Sequence, residues 1–227
     1  MTAIPKSRWF RFSLRTLFVL VTVFCVWIGF KVNAARRQKE AIEAIHKAHG
    51  GLFFDYEMVE MPGKPGHLIP ASTVSLWSSI TGKTLPPVNP DPSPSGPAWL
   101  RKLLGDDYFR EVYQVSISGP QYDYINETEF AQLSSLTEVR KLFLTDIKIA
   151  TGPHVERPLR DSDLAVLRNM RQLDDLLLWG ANISDTGLEY LKRFTKLTTL
   201  DLRRTKVTPD GVRELQKALP NCKILGP

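Results

Sequence analysis

The residue types best suited to chemistry gather in one stretch, TGPHVERPLRDSD at 151–163, which places His154, Glu156, Asp161 and Asp163 close together along the chain. An imidazole among carboxylates is what a metal site or a general acid–base pair requires. Arg157 and Arg160 stand in the same stretch, however, and guanidiniums beside those carboxylates would pair them as in a plain surface loop. No second cluster supports catalysis. His46, His49 and His67 fall in a helical segment and in loops, and the chain has no CxxC, no HExxH and no Cys/His spacing of zinc type. Cys25 lies in an apolar run and Cys222 near the C-terminus, which leaves the soluble part without an internal disulfide. The expectation is a non-enzymatic protein with no cofactor and no metal. A hydrolase using the 150–163 insertion is the enzymatic alternative.

Charge excludes another class. The pI near 9.3 suggests a nucleic-acid partner, but residues 1–40 hold eight basic residues against Glu40 alone. Residues 41–227 carry 22 basic and 23 acidic residues, close to neutral, so no nucleic-acid partner is expected.

The basic N-terminus frames a membrane element. TLFVLVTVFCVWIGF, residues 16–30, carries no charge. Fifteen helical residues span about 22 Å, short of the ~30 Å hydrocarbon layer, but Leu14 and Val32 extend the run while Arg15 and Lys31 snorkel outward. Trp9, Phe10 and Phe12 suit the interfacial belt. A cleavable signal peptide competes, since Val32-Asn33-Ala34 offers small residues for cutting. Lys31 and Arg36-Arg37 favour an uncleaved anchor instead. The expected lipid-bilayer segment is residues 14–32, in a single-pass protein. Four basic residues flank each side of the run, so the positive-inside count is a tie. The short basic tail is assigned to the cytoplasm and the folded part to the other side.

Past the anchor, AARRQKEAIEAIHKAH (34–49) reads as a helix, stopped by Gly50-Gly51 through a left-handed glycine turn, and LFFDYEM reads as a short strand. Nine of the sixteen prolines lie between Met61 and Pro97, a linker or long irregular loop. The expected domains are therefore a basic tail and anchor (1–33), a juxtamembrane helix and strand (34–60), the proline-rich segment (61–97) and a folded domain (98–227).

Those last residues are periodic. Leu164/Leu188, Leu167/Leu191, Met170/Phe194, Leu173/Leu197, Leu176/Leu200, Leu178/Leu202 and Ile183/Val207 all differ by 24. TPDGVRELQKALPNCKIL continues the pattern, and NETEFAQLSSLTEVRKLFLTDIKI (126–149) precedes it with a ten-residue insertion near 150–160. Val112, Val115 and Ile117 form an earlier half-copy. Each L-x-x-L-x-L run places alternate leucines on one side of a strand, and the segment before it, such as GLEYLKRF, turns Leu188, Leu191 and Phe194 toward the same core. Neither half buries its apolar side alone, so neighbouring copies must stack. Ser184-Asp185 and Thr208-Pro209-Asp210 supply helix N-terminus chemistry.

On these residues the chain resembles leucine-rich repeat proteins over roughly residues 109–225. The resemblance implies an α/β solenoid, with parallel strands on one face and helices on the other. It departs from the common consensus at the turn asparagine, where Ile147, Ala181 and Thr205 stand; only Thr205 keeps a group able to bond the turn. The layout of FSLRTLFVLVTVFCVW, ARRQ, a short helix, GG and WLRKLLGDDYF is similar to membrane-anchored repeat proteins of planctomycete type. In that layout WLRKLLGDDYF (99–109) shields the first strand and ALPNCKILGP closes the far end.

In such a solenoid the leucines are structural and function falls to the residues between them. Tyr113, Arg140, Lys141, Phe143, Asp175, Leu177, Trp179, Asp201 and Arg203 are expected to face out from the strands. Phe143, Leu177 and Trp179 would form an apolar patch ringed by charge, suited to an unknown protein partner. A purely structural cell-envelope role without a defined ligand is the alternative.

Overall fold

The computed structural model describes residues 14–48, 50–60, 68–70, 94, 98–106, 109–118, 125–153 and 155–226. Trp9, Phe10, Phe12, His49, His67, His154 and most of the proline-rich segment lie outside the described residues.

Helix formers run without a break from the apolar segment into AARRQKEAI, and they fold as one helix, α1 (Leu14–Lys47, 34 residues). At 1.5 Å per residue it is about 51 Å long. Its first half exposes Leu17, Phe18, Val23 and Phe30. With a mean hydropathy of 2.0 and none of that window buried, it is long and apolar enough to cross a bilayer. Further along the helix, the Arg37 carbonyl accepts from Ser135 Oγ at 3.1 Å, and Gln38 Nε2 donates to Arg110 O at 2.7 Å. Ala41, Ile42, Ala44, Ile45 and Ala48 are then buried. Ala41 to Phe54, within the expected juxtamembrane segment 34–60, thus share one core with the residues beyond 110.

The helix stops at glycine for a reason other than the one expected. Gly50 is not in the left-handed region; its N–H donates to Ile45 O at 2.8 Å. A Cβ there would sit 2.6 Å from Ile45 Cγ2 and 3.2 Å from Ile117 Cγ1, so the position serves close approach of helix and strand.

Beyond the helix the chain builds a six-stranded mixed sheet, in the order β1 (Gly51–Phe54), β4 (Val112–Ser118), β6 (Lys141–Thr145), β9 (Asp175–Leu177), β10 (Thr199–Asp201), β11 (Lys223–Leu225). All neighbours are parallel except β1, which runs antiparallel to β4 with Leu52 opposite Val115. The expectation of a wholly parallel face is corrected by that strand. It covers the edge of β4 with backbone hydrogen bonds, the role assigned to the 99–109 helix. That helix, α2 (Ala98–Leu104), leaves Trp99 exposed. β2 (Met58–Glu60) and β3 (Leu68–Pro70) form a separate antiparallel pair.

Strand register follows the leucine spacing. Val115, Leu142, Leu176, Leu200 and Ile224 are successive cross-strand partners, and the first four of these side chains are fully buried. From the other side Leu188, Leu191 and Phe194, carried by α4 (Asp185–Leu191) and the turn after it, close over them, as does Leu215 of α5 (Pro209–Ala218). β6, β9 and β10 each leave through a tight turn in which one residue is left-handed: Asp146 (φ 49°), Gly180 (φ 74°) and Arg204 (φ 59°). Glycine suits position 180, where the backbone is left-handed and a Cβ would meet the Asp146 carboxylate unless that side chain moved. Ile147 and Ala181 fill the turn with apolar bulk, whereas the Thr205 hydroxyl donates to Leu202 O at 2.5 Å.

One recurrent device was not anticipated. The Asp161 carboxylate accepts from Ser184 N at 2.8 Å and Ser184 Oγ at 2.5 Å; the Asp185 carboxylate accepts from Thr208 N at 2.8 Å and Thr208 Oγ1 at 2.7 Å. Ser184 therefore does not cap α4 with its side chain, as expected; its hydroxyl points back to Asp161. Gly187 and Gly211 make room, since a Cβ at either would fall within 2.5 Å of the carboxylate.

The Thr208 N–H and hydroxyl hold the Asp185 carboxyl below its ordinary pKa. A folded pKa below the unfolded value means the ionised form stabilises the fold above about pH 4, and this contribution disappears as pH falls through the lowered folded value. Asp185→Asn is therefore expected to lower the denaturation midpoint at pH 7 while flattening the acid limb of a stability–pH curve. Parallel curves for variant and parent would show that the carboxylate has no such role.

The ten-residue insertion forms a hairpin of β7 (Lys148–Gly152) and β8 (Val155–Pro158), extended by β5 (Ile125–Asn126) into a three-stranded sheet beside α3 (Glu127–Gln132). Arg157 locks it, bonding both Asp163 oxygens at 2.5 and 2.9 Å and Glu127 at 3.1 Å. Arg157→Ala would leave the largely buried Asp163 without its cation, at a cost of about 2 kcal/mol by thermal unfolding.

Candidate partner-binding face

Residues between the inward leucines make the outer face of the sheet. The β-pleat sets Gln114, Lys141, Asp175, Thr199 and Lys223 in one cross-strand row, and Ser116, Phe143, Leu177, Asp201 and Leu225 in the next. Phe143 and Leu177 are direct cross-strand neighbours, both half-buried. Trp179 lies just past the end of β9, also half-buried, with the Arg204 guanidinium 4.6 Å above its ring. Sequence reasoning overlooked Arg204. Its left-handed backbone, which turns the side chain back onto the preceding strand's tryptophan, has no local sequence signal.

The charges alternate in sign across the strands. Lys141 Nζ lies 3.5 Å from Asp175 Oδ2 and 6.0 Å from the centroid of the Tyr113 ring, while Arg140 lies 3.5 Å from Asp174. Opposite charges on adjacent strands stabilise the sheet, and they also leave each cation committed to a neighbour. Asp201 is buried, gripped by Arg203 through Nε at 3.0 Å and Nη2 at 2.6 Å, with the Arg203 N–H at 3.0 Å. That guanidinium holds the Asp201 carboxyl below its ordinary pKa, whereas burial raises those of Asp174 and Tyr113.

Two expected contact residues are therefore corrected. Tyr113 and Asp201 are both buried, Tyr113 near the covered edge of the sheet with Lys141 over its ring and Asp201 beneath its arginine. Arg140 and Arg203 are exposed; Lys141, Phe143, Asp175, Leu177 and Trp179 are half-buried. The face is consequently a mosaic of paired charge around the Phe143–Leu177 contact, with Trp179 at its margin.

No known family model matches this chain, and no curated protein does.

The insertion is chemically quiet by comparison. Asp161 and Asp163 are held by Ser184 and Arg157, and Glu156 lies 3.1 Å from Lys148. Among the described residues no group of three His, Cys, Asp or Glu side chains is placed to hold a metal. Cys222 is buried and its thiol pushed up to about 11, chiefly by desolvation, which keeps it protonated and unreactive at neutral pH. Asp161, Asp163 and Glu156 are thus engaged in hydrogen bonds within the fold.

Proposed function

We propose that this chain is a membrane-tethered leucine-rich repeat module that recognises a protein partner through its strand face. The observation that carries the reading is the Phe143–Leu177 pair on the outer side of β6 and β9, set among Arg140, Lys141, Asp175 and Arg203 and bounded by the Trp179–Arg204 stack. An apolar centre with a charged rim is the usual anatomy of a protein-binding patch. The repeat assignment is supported by the 24-residue offset that recurs in the leucines, in the Asp161–Ser184 and Asp185–Thr208 bonds and between the left-handed residues Gly180 and Arg204. Stacked units of this kind present a continuous binding face. Tethering is supported by the exposed apolar half of α1. A single pass with the repeats on the non-cytoplasmic side is part of the proposal.

The test is crosslinking of the full chain in native membranes, followed by purification. A stoichiometric protein partner is expected, and its recovery should fall at least about tenfold when Phe143→Ala and Leu177→Ala are combined, the size of effect that central interface residues carry. Tyr190→Ala, on the exposed side of α4, should leave recovery unchanged. Equal recovery from the double variant, or no stoichiometric partner, overturns the reading. Trp179→Ala should weaken capture with only a small drop in thermal midpoint, since the residue sits at the margin of the sheet; a drop as large as a core substitution gives would mark it as structural.

A further inference from the structure

The folded part is close to neutral in total, yet its charges are segregated by position. Two contacts fix the direction of the strands relative to α1. Next to the apolar half of the helix, Gln38 Nε2 bonds Arg110 O just before β4, and Ser135 bonds Arg37 O. At the far end of α1, Gly50 approaches Ile117 near the end of β4, and Lys47 pairs with Glu129 at 2.6 Å. β4 therefore runs along α1 and away from the apolar half, and β6, β9, β10 and β11 run parallel to it. The segments that enter these strands accordingly form one edge of the domain, facing the apolar half of α1.

That edge is basic. The segments leading into β9 and β10 carry Arg168, Arg171, Lys192, Arg193 and Lys196, all exposed. Lys192 is paired with Glu189, and Lys196 bonds the Gln172 amide oxygen. Arg168, Arg171 and Arg193 make no ion pair among the described residues. Of the nearby acids, Glu111 just before β4 and Glu138 before β6 are exposed, and Asp174 is engaged by Arg140. The edge is tied to the helix through a short chain of bonds, Arg37 O to Ser135 Oγ, then Ser134 O to Asn169 Nδ2. Arg37 lies five residues, about 7.5 Å, beyond Val32, close to the outer limit of the headgroup layer, which is about 5–7 Å thick on each side of the hydrocarbon. Arg36 and Lys39 stand at the same level, Arg36 paired with Glu40 at 3.5 Å.

We propose that this strand-entry edge docks on the anionic phospholipid headgroups of the bilayer that α1 crosses, so that the domain stands with its strands upright and its outer face open to a partner. The proposal rests on the tethering of α1. Long basic side chains at headgroup depth gain from an anionic surface within a Debye length, and each contributes about fivefold to the docked population.

The test uses the full chain with Cys25→Ser, reconstituted into vesicles of phosphatidylcholine alone or with about a third phosphatidylglycerol. A fluorophore is placed on Thr195→Cys, on the basic edge, or on Thr186→Cys, on the opposite edge, and quenched by a headgroup-labelled lipid. Both Thr195 and Thr186 are exposed. The Thr195 label should be quenched more strongly in the anionic vesicles than in the neutral ones. The difference should vanish in high salt and in the triple variant Arg168→Gln, Arg171→Gln, Arg193→Gln. The Thr186 label should respond to neither lipid. Flotation with both vesicle types, but equal quenching of the Thr195 label in each, overturns the docking edge and leaves the anchor standing. Stronger quenching at Thr186 overturns it as well, by reversing the orientation. Failure to float with neutral vesicles removes the tether itself, and the docking edge with it.

Discussion

Leu176→Ala is expected to lower the unfolding free energy of the chain by about 3–4 kcal/mol, the middle of the range for truncating a buried leucine. Leu176 is fully buried and sits between Leu142 and Leu200 in the cross-strand row. Strand partners on both sides are held by backbone ladders, so the space left behind has little freedom to collapse. The row's last partner provides the comparison. Ile224, on the edge strand β11, has a neighbour on one side only and is half-buried. Ile224→Ala should cost about 1–2 kcal/mol, because less surface is lost and the edge can relax. Denaturant titration of both variants in detergent, at constant slope, gives the difference. Equal costs would mean that the leucine row is not a continuous core.

This row was legible before any coordinates because one physical constraint wrote it twice. The side chains that face inward on a strand alternate, and the same inward positions must recur wherever the chain re-enters the sheet, so burial and period left the same mark. The insertion was legible for the complementary reason: it broke the offset. What stayed hidden has no period. β1 joins the sheet antiparallel, at the edge of β4, through backbone hydrogen bonds that its sequence, GLFF, does not single out. The Asp161–Ser184 and Asp185–Thr208 bonds do recur at 24, but aspartate next to serine or threonine also reads as ordinary helix-start chemistry, and that local meaning masked the longer contact. On the outer face, alternation correctly set Phe143 and Leu177 opposite the leucines. It could not tell which outward residues are covered. Tyr113 lies near the edge that β1 covers, and Asp201 is buried by the very next outward side chain on its own chain, Arg203. Outward direction is a property of the backbone, whereas exposure depends on every neighbour's length and charge.

The second large effect is expected in the exposed apolar half of α1. Leu20→Arg combined with Val23→Arg should release the chain from membranes. On insertion scales each central arginine costs about 2.5–3.5 kcal/mol, or about 5–7 kcal/mol for the pair. The ten Leu, Ile, Phe and Val residues between 16 and 30 together favour insertion by only about 3–6 kcal/mol. Replacing two of them therefore reverses the sign. Leu20 and Val23 are both more than half exposed, and their side chains lie one helical turn apart on the same side of α1. Neither contributes to the core that begins at Ala41, so the domain should fold as before. Alkaline carbonate extraction separates the outcomes. The parent chain should stay with the membrane pellet, and the double variant should appear in the supernatant with the thermal midpoint of its folded part unchanged. Loss of that midpoint in the variant would show that the apolar half of α1 packs against the domain after all. Extraction of the parent itself would show that the helix does not anchor the chain, and with it would go the fixed height above the bilayer on which the basic edge depends.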